Sequence, residues 1–368
     1  MLALADDLTS ALDALSPWAD RRQDACALLN DIDMLPAGTA FGIDLSTRYA
    51  QPSDAFARFA ETGHRHRAHS LLYKTIDSTL RGHPAAELAG LISGSGRRRV
   101  VVAPAFPAAG RVTRGGRQYV DGIPIEQSHY AKDPRTPVVC SDLHQLFSGL
   151  GGTEIDIRDA GTDADLDHIV AAFPDVSDVI WVGSPGLAAA LARRHPISGQ
   201  TAQQSLPRVR SVLTVVGSVH PANTAQVEQI RVGGGTIVRL EPTATQANAA
   251  NLRQALLRSG NVCLVAPATP GDPRTVLELL AHAVAAARGL IDGVVLTGGE
   301  TARKVLQCLG ANELRLHGEV AAGVPFGAAM CGDRVVSFAT KAGGFGAADT
   351  LMQCGLMLSG TPRSATAS

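Results

Sequence analysis

The chain has 368 residues, more than one hydrophobic core usually covers at roughly 100–200 residues per domain, so two domains are predicted. Its 33 Lys and Arg nearly cancel 34 Asp and Glu, which rules out a strong net field for nucleic acid or an anionic membrane and leaves a small molecule as the expected partner. Hydrophobic residues reach 45% with only 4% aromatics and 38 Gly, the composition of helices packed closely on buried parallel strands.

In chain order, the first apolar run, Met1–Ala5, leads into Asp6-Asp7-Leu8-Thr9-Ser10-Ala11. Two carboxylates between a strand and a helix stand where open α/β sheets bind ligands, and there they can deprotonate a hydroxyl or hold a metal; Asp is also a good helix cap. Further strands are predicted at Ala40–Ile43 and Ser70–Tyr73. Between them His64, His66 and His69 fall in an Arg-rich stretch that reads as a solvated helix face, because no carboxylate or thiolate partner accompanies them. After Tyr73 comes Lys74-Thr-Ile-Asp77-Ser78-Thr79-Leu-Arg81-Gly82, dense in charge and hydroxyls. Arg81 can grip a carboxylate with its planar fork while Asp77, Ser78 and Thr79 bond to hydroxyls, which together describe a polyhydroxy acid. The strand Arg99–Ala103 runs into a Pro- and Gly-rich segment predicted as a long loop, with Arg111 available to an anionic substrate or a transferring phosphate. Val179–Val182 leads to the glycine turn Gly183-Ser184-Pro185-Gly186.

Residues 196–208 lack periodicity and are rich in Pro, Gly, Ser and Gln, so they are predicted as a linker between domains at 1–195 and 209–368. In the second domain the strands Ser211–Val216, Thr236–Leu240, Val262–Ala266, Gly293–Thr297 and Arg334–Ala339 are predicted. Three end in glycine turns: Gly217-Ser218, Gly298-Gly299-Glu300-Thr301 and Lys341-Ala-Gly343-Gly344-Phe-Gly346. Such turns offer backbone amides and hydroxyls to phosphate oxygens, and three of them form a wall for a nucleotide. Neither a Walker A nor a Rossmann Gly-x-Gly-x-x-Gly signature occurs. The six cysteines are scattered without a Cys-x-x-Cys pair, no run approaches the roughly 18 apolar residues of a membrane span, and a cytoplasmic location is expected.

In their order these motifs resemble the four-carbon acid sugar kinase family, through Ala5–Ala11, Lys74–Gly82 and Pro104–Arg111 in the first half and Gly217–Ser218, Thr297–Ala302 and Thr340–Gly346 in the second. The resemblance implies an α/β protein of two domains, each a largely parallel sheet flanked by helices, with the active site in the cleft between them. It implies transfer of the ATP γ-phosphate, escorted by Mg²⁺, to the terminal hydroxyl of threonate, erythronate or a 3-oxo-tetronate. Combined with the residues themselves, it makes Asp7 and Asp77 the candidates for orienting or deprotonating that hydroxyl, and Asp6, Lys74, Ser78, Thr79, Arg81 and Arg111 the substrate contacts. Ser218, Gly298, Gly299, Glu300, Thr301, Gly343 and Gly344 are the nucleotide contacts; the metal ligands stay unassigned, and a homodimer is left open. A non-catalytic sensor and a dinucleotide-dependent oxidoreductase are the rival readings. Two departures stand out: Ser10 where the family usually has Gly, expected to tighten or misplace the turn, and a first strand of about five residues, expected to leave a thin sheet edge.

Overall fold

The computed structural model describes residues 1–35, 38–133, 135–197, 206–207, 209–217, 221–268 and 271–360. The chain divides into two compact units, Met1–Thr201 and Ala202–Ser368. Most of the predicted linker, residues 198–205 and 208, lies outside the described residues. No described helix is long and apolar enough to cross a membrane.

The N-terminal unit carries strands β1 (Leu2–Ala5), β2 (Ala25–Leu28), β3 (Ala40–Asp44), β4 (Leu72–Thr75), β5 (Arg99–Ala103), β6 (Arg111–Arg114), β7 (Arg117–Val120), β8 (Ile123–Pro124), β9 (Glu154–Ile157) and β10 (Val179–Gly183). Its helices are α1 (Leu8–Ala19), α2 (Pro52–Arg65), α3 (Pro84–Ser95), α4 (Leu143–Leu146), α5 (Asp163–Ala171) and α6 (Pro185–Arg194). The order β2-β3-β1-β4-β10-β5-β9 is parallel throughout. Strands covered on both faces by helices are apolar along their length, hence runs such as Leu2–Ala5 and Val179–Val182 with no polar alternation. β1 lies between β3 and β4, so the short first strand is an interior strand and the expected thin edge does not exist. The chain passes to β3 on one side and β4 on the other, making the carboxyl end of β1 a topological switch point.

Two expectations are corrected here. The long loop after β5 folds into the antiparallel sheet β6-β7-β8, pinned by buried Gln118, which accepts from the Thr113 hydroxyl at 2.6 Å and donates to the carbonyls of Ser78 and Pro104, each at 3.1 Å. His66 is not on a solvated face: it is buried, with Nε2 2.7 Å from Asp31 Oδ1, an oxygen hidden from sequence because Asp31 is 35 residues away. His64 is exposed.

The C-terminal unit carries β11 (Val212–Val216), β12 (Thr236–Arg239), β13 (Asn261–Val265), β14 (Gly293–Thr297), β15 (Ala311–Glu319), β16 (Pro325–Cys331) and β17 (Arg334–Lys341). The helices are α7 (Pro221–Val232), α8 (Thr245–Arg258), α9 (Pro273–Ala287), α10 (Gly299–Leu309) and α11 (Thr350–Leu358). The order β12-β13-β11-β14-β17 is parallel, and β16 and β15 extend it antiparallel. Cys263, Val295, Ala339 and Leu351 lie in its core. The antiparallel pair escaped the sequence reading because its Gly- and Ala-rich β16 lacks a clear apolar period.

Lys74 also departs from expectation. The strand begins two residues later than predicted, so Lys74 belongs to β4 itself and is 1% exposed. Its Nζ donates to Glu87 Oε2 at 2.7 Å and to the Thr75 carbonyl at 2.6 Å, and sits 4.9 Å from the Phe59 ring centre. Breaking such a pair strands a buried charge. Replacing Lys74 alone by Met is expected to cost about 3–5 kcal/mol in urea unfolding, and adding Glu87→Leu to recover most of it; a single variant as stable as wild type would show the pair to be dispensable.

Candidate active site

The polar motifs of the N-terminal unit sit at the carboxyl ends of neighbouring strands. Ala5 pairs with Asp44 across β1 and β3, and Leu4 with Lys74 across β1 and β4, which brings Asp6, Leu45 and the residues after Thr75 to one level. Asp7 starts α1 in an extended conformation, its carboxylate accepting from the Ser10 amide at 2.8 Å and from the Thr9 hydroxyl at 3.0 Å. It is therefore a helix cap that also stands at the level of the other polar strand ends.

Both carboxylates converge on Arg48, which the sequence reading missed. Arg48 Nε donates to Asp6 Oδ2 at 2.7 Å, Nη2 to Asp6 Oδ1 at 2.9 Å and to Ser10 Oγ at 2.8 Å, and Nη1 to Asp7 Oδ2 at 2.6 Å. Its turn is built by Ser46 at φ +52°, whose amide Asp44 accepts at 2.8 Å, and by the Thr47 and Arg48 amides, which bond to the Asp6 carbonyl at 2.9 and 3.2 Å. Burial opposes the guanidinium charge, but Asp6, Asp7 and Asp77 together raise its pKa well above the usual value. The Ser10 hydroxyl is one of the Arg48 acceptors. The signal was available, since Ser46-Thr47-Arg48 follows a predicted strand just as the recognised motifs do.

The segment after β4 forms a second node. Asp77 Oδ1 accepts from the Thr79 amide at 3.1 Å and hydroxyl at 3.0 Å, and Oδ2 is ion-paired with Arg81 Nε. Burial pushes the Asp77 carboxyl up, but Arg81 and then Arg48 pull it down further, to about 2. Leu80 at φ +58° and Gly82 at φ +88° bend the segment back. A Cβ on Gly82 would stand 3.1 Å from Asp6 Oδ2, so glycine lets this loop close on the first node. Arg81 stacks over the Tyr130 ring at 5.6 Å, and Tyr130 accepts from Arg111 Nη2 at 3.2 Å. Arg111 Nε is buried without a partner among the described residues. Arg81 and Arg111 thus flank one aromatic ring that sequence spacing could not have paired with them. Ser78 is half-buried, its carbonyl taken by Gln118, and Lys74 stays in the core with Glu87. Glu87 also accepts from Thr47 at 2.7 Å, which ties Lys74 through Glu87 to the turn that carries Arg48. The Gly183–Gly186 turn is close packing: a Cβ on Gly186 would meet the Ala105 carbonyl at 2.5 Å.

In the C-terminal unit, Val216 pairs with Thr297 and Thr297 with Lys341, so the three glycine turns leave β11, β14 and β17 side by side. Ser218 lies outside the described residues. Gly298, at φ +83° and with open space where a Cβ would be, precedes α10, whose first turn holds Gly299, exposed Glu300 and buried Thr301. Gly217 packs on Thr301, its Cβ position 2.4 Å from the hydroxyl. Gly343 and Gly344 are accessible. A helix start beside bare glycine backbone fits phosphate. Among the described residues no three His, Cys, Asp or Glu side chains are grouped to hold a metal. In the N-terminal unit Asp6 and Asp7 are ion-paired with Arg48.

Residues 1–155 match a family model described as a sugar-binding N-terminal domain, and residues 213–351 one described as a nucleotide-binding C-terminal domain. The chain is 33% identical to a D-threonate kinase of Cupriavidus necator over 94% of both chains. It is 28% identical to a 3-oxo-tetronate kinase of Burkholderia multivorans over 75% of this chain and 76% of that one. Against a D-erythronate kinase of Heliobacterium modesticaldum it is 30% identical over 62% of this chain and 60% of that one. Its fold is shared with a Haemophilus influenzae protein of known structure, at TM-score 0.75 and 20% identity over 97% of this chain and all of that one.

Because the Asp77 pKa falls from 3.8 unfolded to about 2 folded, its contribution is present above about pH 4 and disappears as pH drops to about 2. Asp77→Asn is expected to lower unfolding free energy by about 2 kcal/mol at neutral pH and by much less near pH 2; a pH-independent difference would mean that charge is not the source.

Proposed function

The chain belongs to the four-carbon acid sugar kinase family, phosphotransferases with an alcohol acceptor, and we propose that it uses Mg-ATP to phosphorylate the terminal hydroxyl of a tetronate, with D-threonate the leading candidate. The observation that carries this reading is placement: every polar motif emerges at the carboxyl end of a strand, an acid-and-guanidinium set in one unit and amide-rich turns in the other. The preference for threonate rests on the similarity to two D-threonate kinases at 33% identity.

The acid sugar carboxylate is assigned to Arg81 and Arg111, whose guanidinium groups flank Tyr130, and not to Lys74, whose charge is spent on Glu87. Ser78 and Thr79 stand beside them for hydroxyls. Asp7 accepts and orients the attacking hydroxyl, with Asp6 as its neighbour; Arg48 holds both carboxylates in place. Asp77, kept anionic to about pH 2, is a poor proton acceptor and serves to aim Arg81. Little proton abstraction is required, because phosphoryl transfer has a loose transition state and depends mainly on alignment and charge. The adenine nucleotide lies against Gly298–Thr301 and Gly343–Gly344, and Mg²⁺ supplies charge neutralisation at the phosphates.

The direct test is ADP release with Mg-ATP across D- and L-threonate, D- and L-erythronate and their 3-oxo forms, against a no-sugar control. Turnover with D-threonate above the control is expected; a flat panel from a chain that still binds ATP would favour a sensor. Asp7→Asn is expected to lower kcat by roughly a hundredfold or more with little change in the KM for ATP. Unchanged kcat would remove Asp7 from the reaction.

A further inference from the structure

The loop after β17 is held by two buried side chains, one of them the lysine of the third glycine turn, that were not among the nucleotide contacts assigned above. Gln226, on α7 and 0% exposed, donates through Nε2 to the carbonyls of Phe345, Gly346 and Ala347 at 3.1, 3.2 and 2.9 Å. Lys341, the last residue of β17 and 1% exposed, donates through Nζ to the carbonyls of Ala342 and Gly343 at 3.3 and 3.0 Å and to Asn223 Oδ1, also on α7, at 3.0 Å. Five of the six carbonyls from Ala342 to Ala347 therefore point at interior donors.

In a trans peptide the amide hydrogen of the next residue points away from the carbonyl oxygen. Drawing these carbonyls inward turns the following amides outward, and among the described residues those of Gly343, Gly344, Gly346 and Ala347 donate no hydrogen bond within the chain. Successive outward amides make an anion-binding concavity. Lys341 also reaches the neighbouring turn, because its own carbonyl accepts from the Gly298 amide at 2.9 Å. Glycine is needed at Gly346, at φ +89°, where a Cβ would come 2.6 Å from the Thr350 hydroxyl.

We propose that Gln226 and Lys341 are positioning residues of the nucleotide site: together they hold the Ala342–Ala347 carbonyls inward so that the loop's amides receive the polyphosphate of ATP. The proposal rests on the reading of the C-terminal unit as a nucleotide site. Its energetics are those of preorganisation, in which amides already aimed at the phosphates need no reordering when ligand arrives.

The test uses the full chain with Gln226→Met, which keeps length and removes the donor, and Gly344→Pro, which deletes one accessible amide hydrogen and leaves the buried groups alone. Calorimetric ADP affinity, the KM for ATP, the KM for the acid sugar, kcat and Tm are measured for each. In both variants the KM for ATP and the Kd for ADP are expected to rise roughly tenfold, equivalent to about 1.4 kcal/mol, while the KM for the sugar stays near wild type. A merely structural role would lower Tm and move both KM values together or neither. Unaltered nucleotide affinity in both variants, with wild-type binding intact, overturns the clamp and leaves the nucleotide site standing. A wild-type chain that binds neither ATP nor ADP overturns the underlying reading, and the clamp with it.

Discussion

Asp6 and Asp7 are adjacent, both buried, and placed at the end of a strand whose other residues are all apolar. Two carboxylates in such a setting repel each other and lose their hydration, which is costly unless a cation bridges them. Arg48 is that cation. Its planar fork spans both carboxylates with three charge-assisted bonds, and no Lys could replace that geometry with a single ammonium point. Much else in the unit follows from the need to bring Arg48 there: the left-handed Ser46, the Asp6 carbonyl shared by two amides, and Glu87 fixing Thr47 on one side and Lys74 on the other. Gly82 completes the arrangement by leaving room for the Asp77 segment against Asp6.

Parallel sheets explain why the chemistry collects at one edge of each unit. Strand interiors buried on both faces cannot carry polar residues cheaply, so hydroxyls, carboxylates and bare amides are confined to the strand ends. The strand register then decides which ends are neighbours. In the C-terminal unit it sets three glycine turns in a row; in the N-terminal unit it sets Asp6 beside the turn of Arg48 and the loop of Asp77.

This logic also marks how far the sequence could be read. Strand ends were legible because apolar runs stop abruptly at Asp6, Gly217, Gly298 and Thr340; their repetition gave the α/β class, and chain length gave two domains. Arg48 obeyed the same rule, five residues beyond the strand predicted to end at Ile43. Lys74 was misplaced because a two-residue error in a strand boundary moves a side chain from loop to core. Tyr130 and Gln226 were beyond reach: each works through partners 19 to 121 positions away, and a lone Tyr or Gln carries no spacing signature. The β6-β7-β8 sheet was hidden by Pro and Gly that also mark plain loops.

Lys74 and Lys341 show how one residue type in one position can be given different work. Each lies at or next to the carboxyl end of a parallel strand, and each is 1% exposed. Lys74 meets a carboxylate, Glu87, so its charge is neutralised inside the protein and it serves as a fixed strut. Among the described residues Lys341 donates to the neutral oxygens of Asn223, Ala342 and Gly343, and burial lowers its pKa to about 8. A cation whose partners among the described residues are dipoles gains from any nearby anion. Among the described residues, then, the Lys341 ammonium is held by neutral oxygens while Lys74 is paired with Glu87, and in the N-terminal unit Arg48 and Arg81 are likewise ion-paired, with Asp6 and Asp7 and with Asp77.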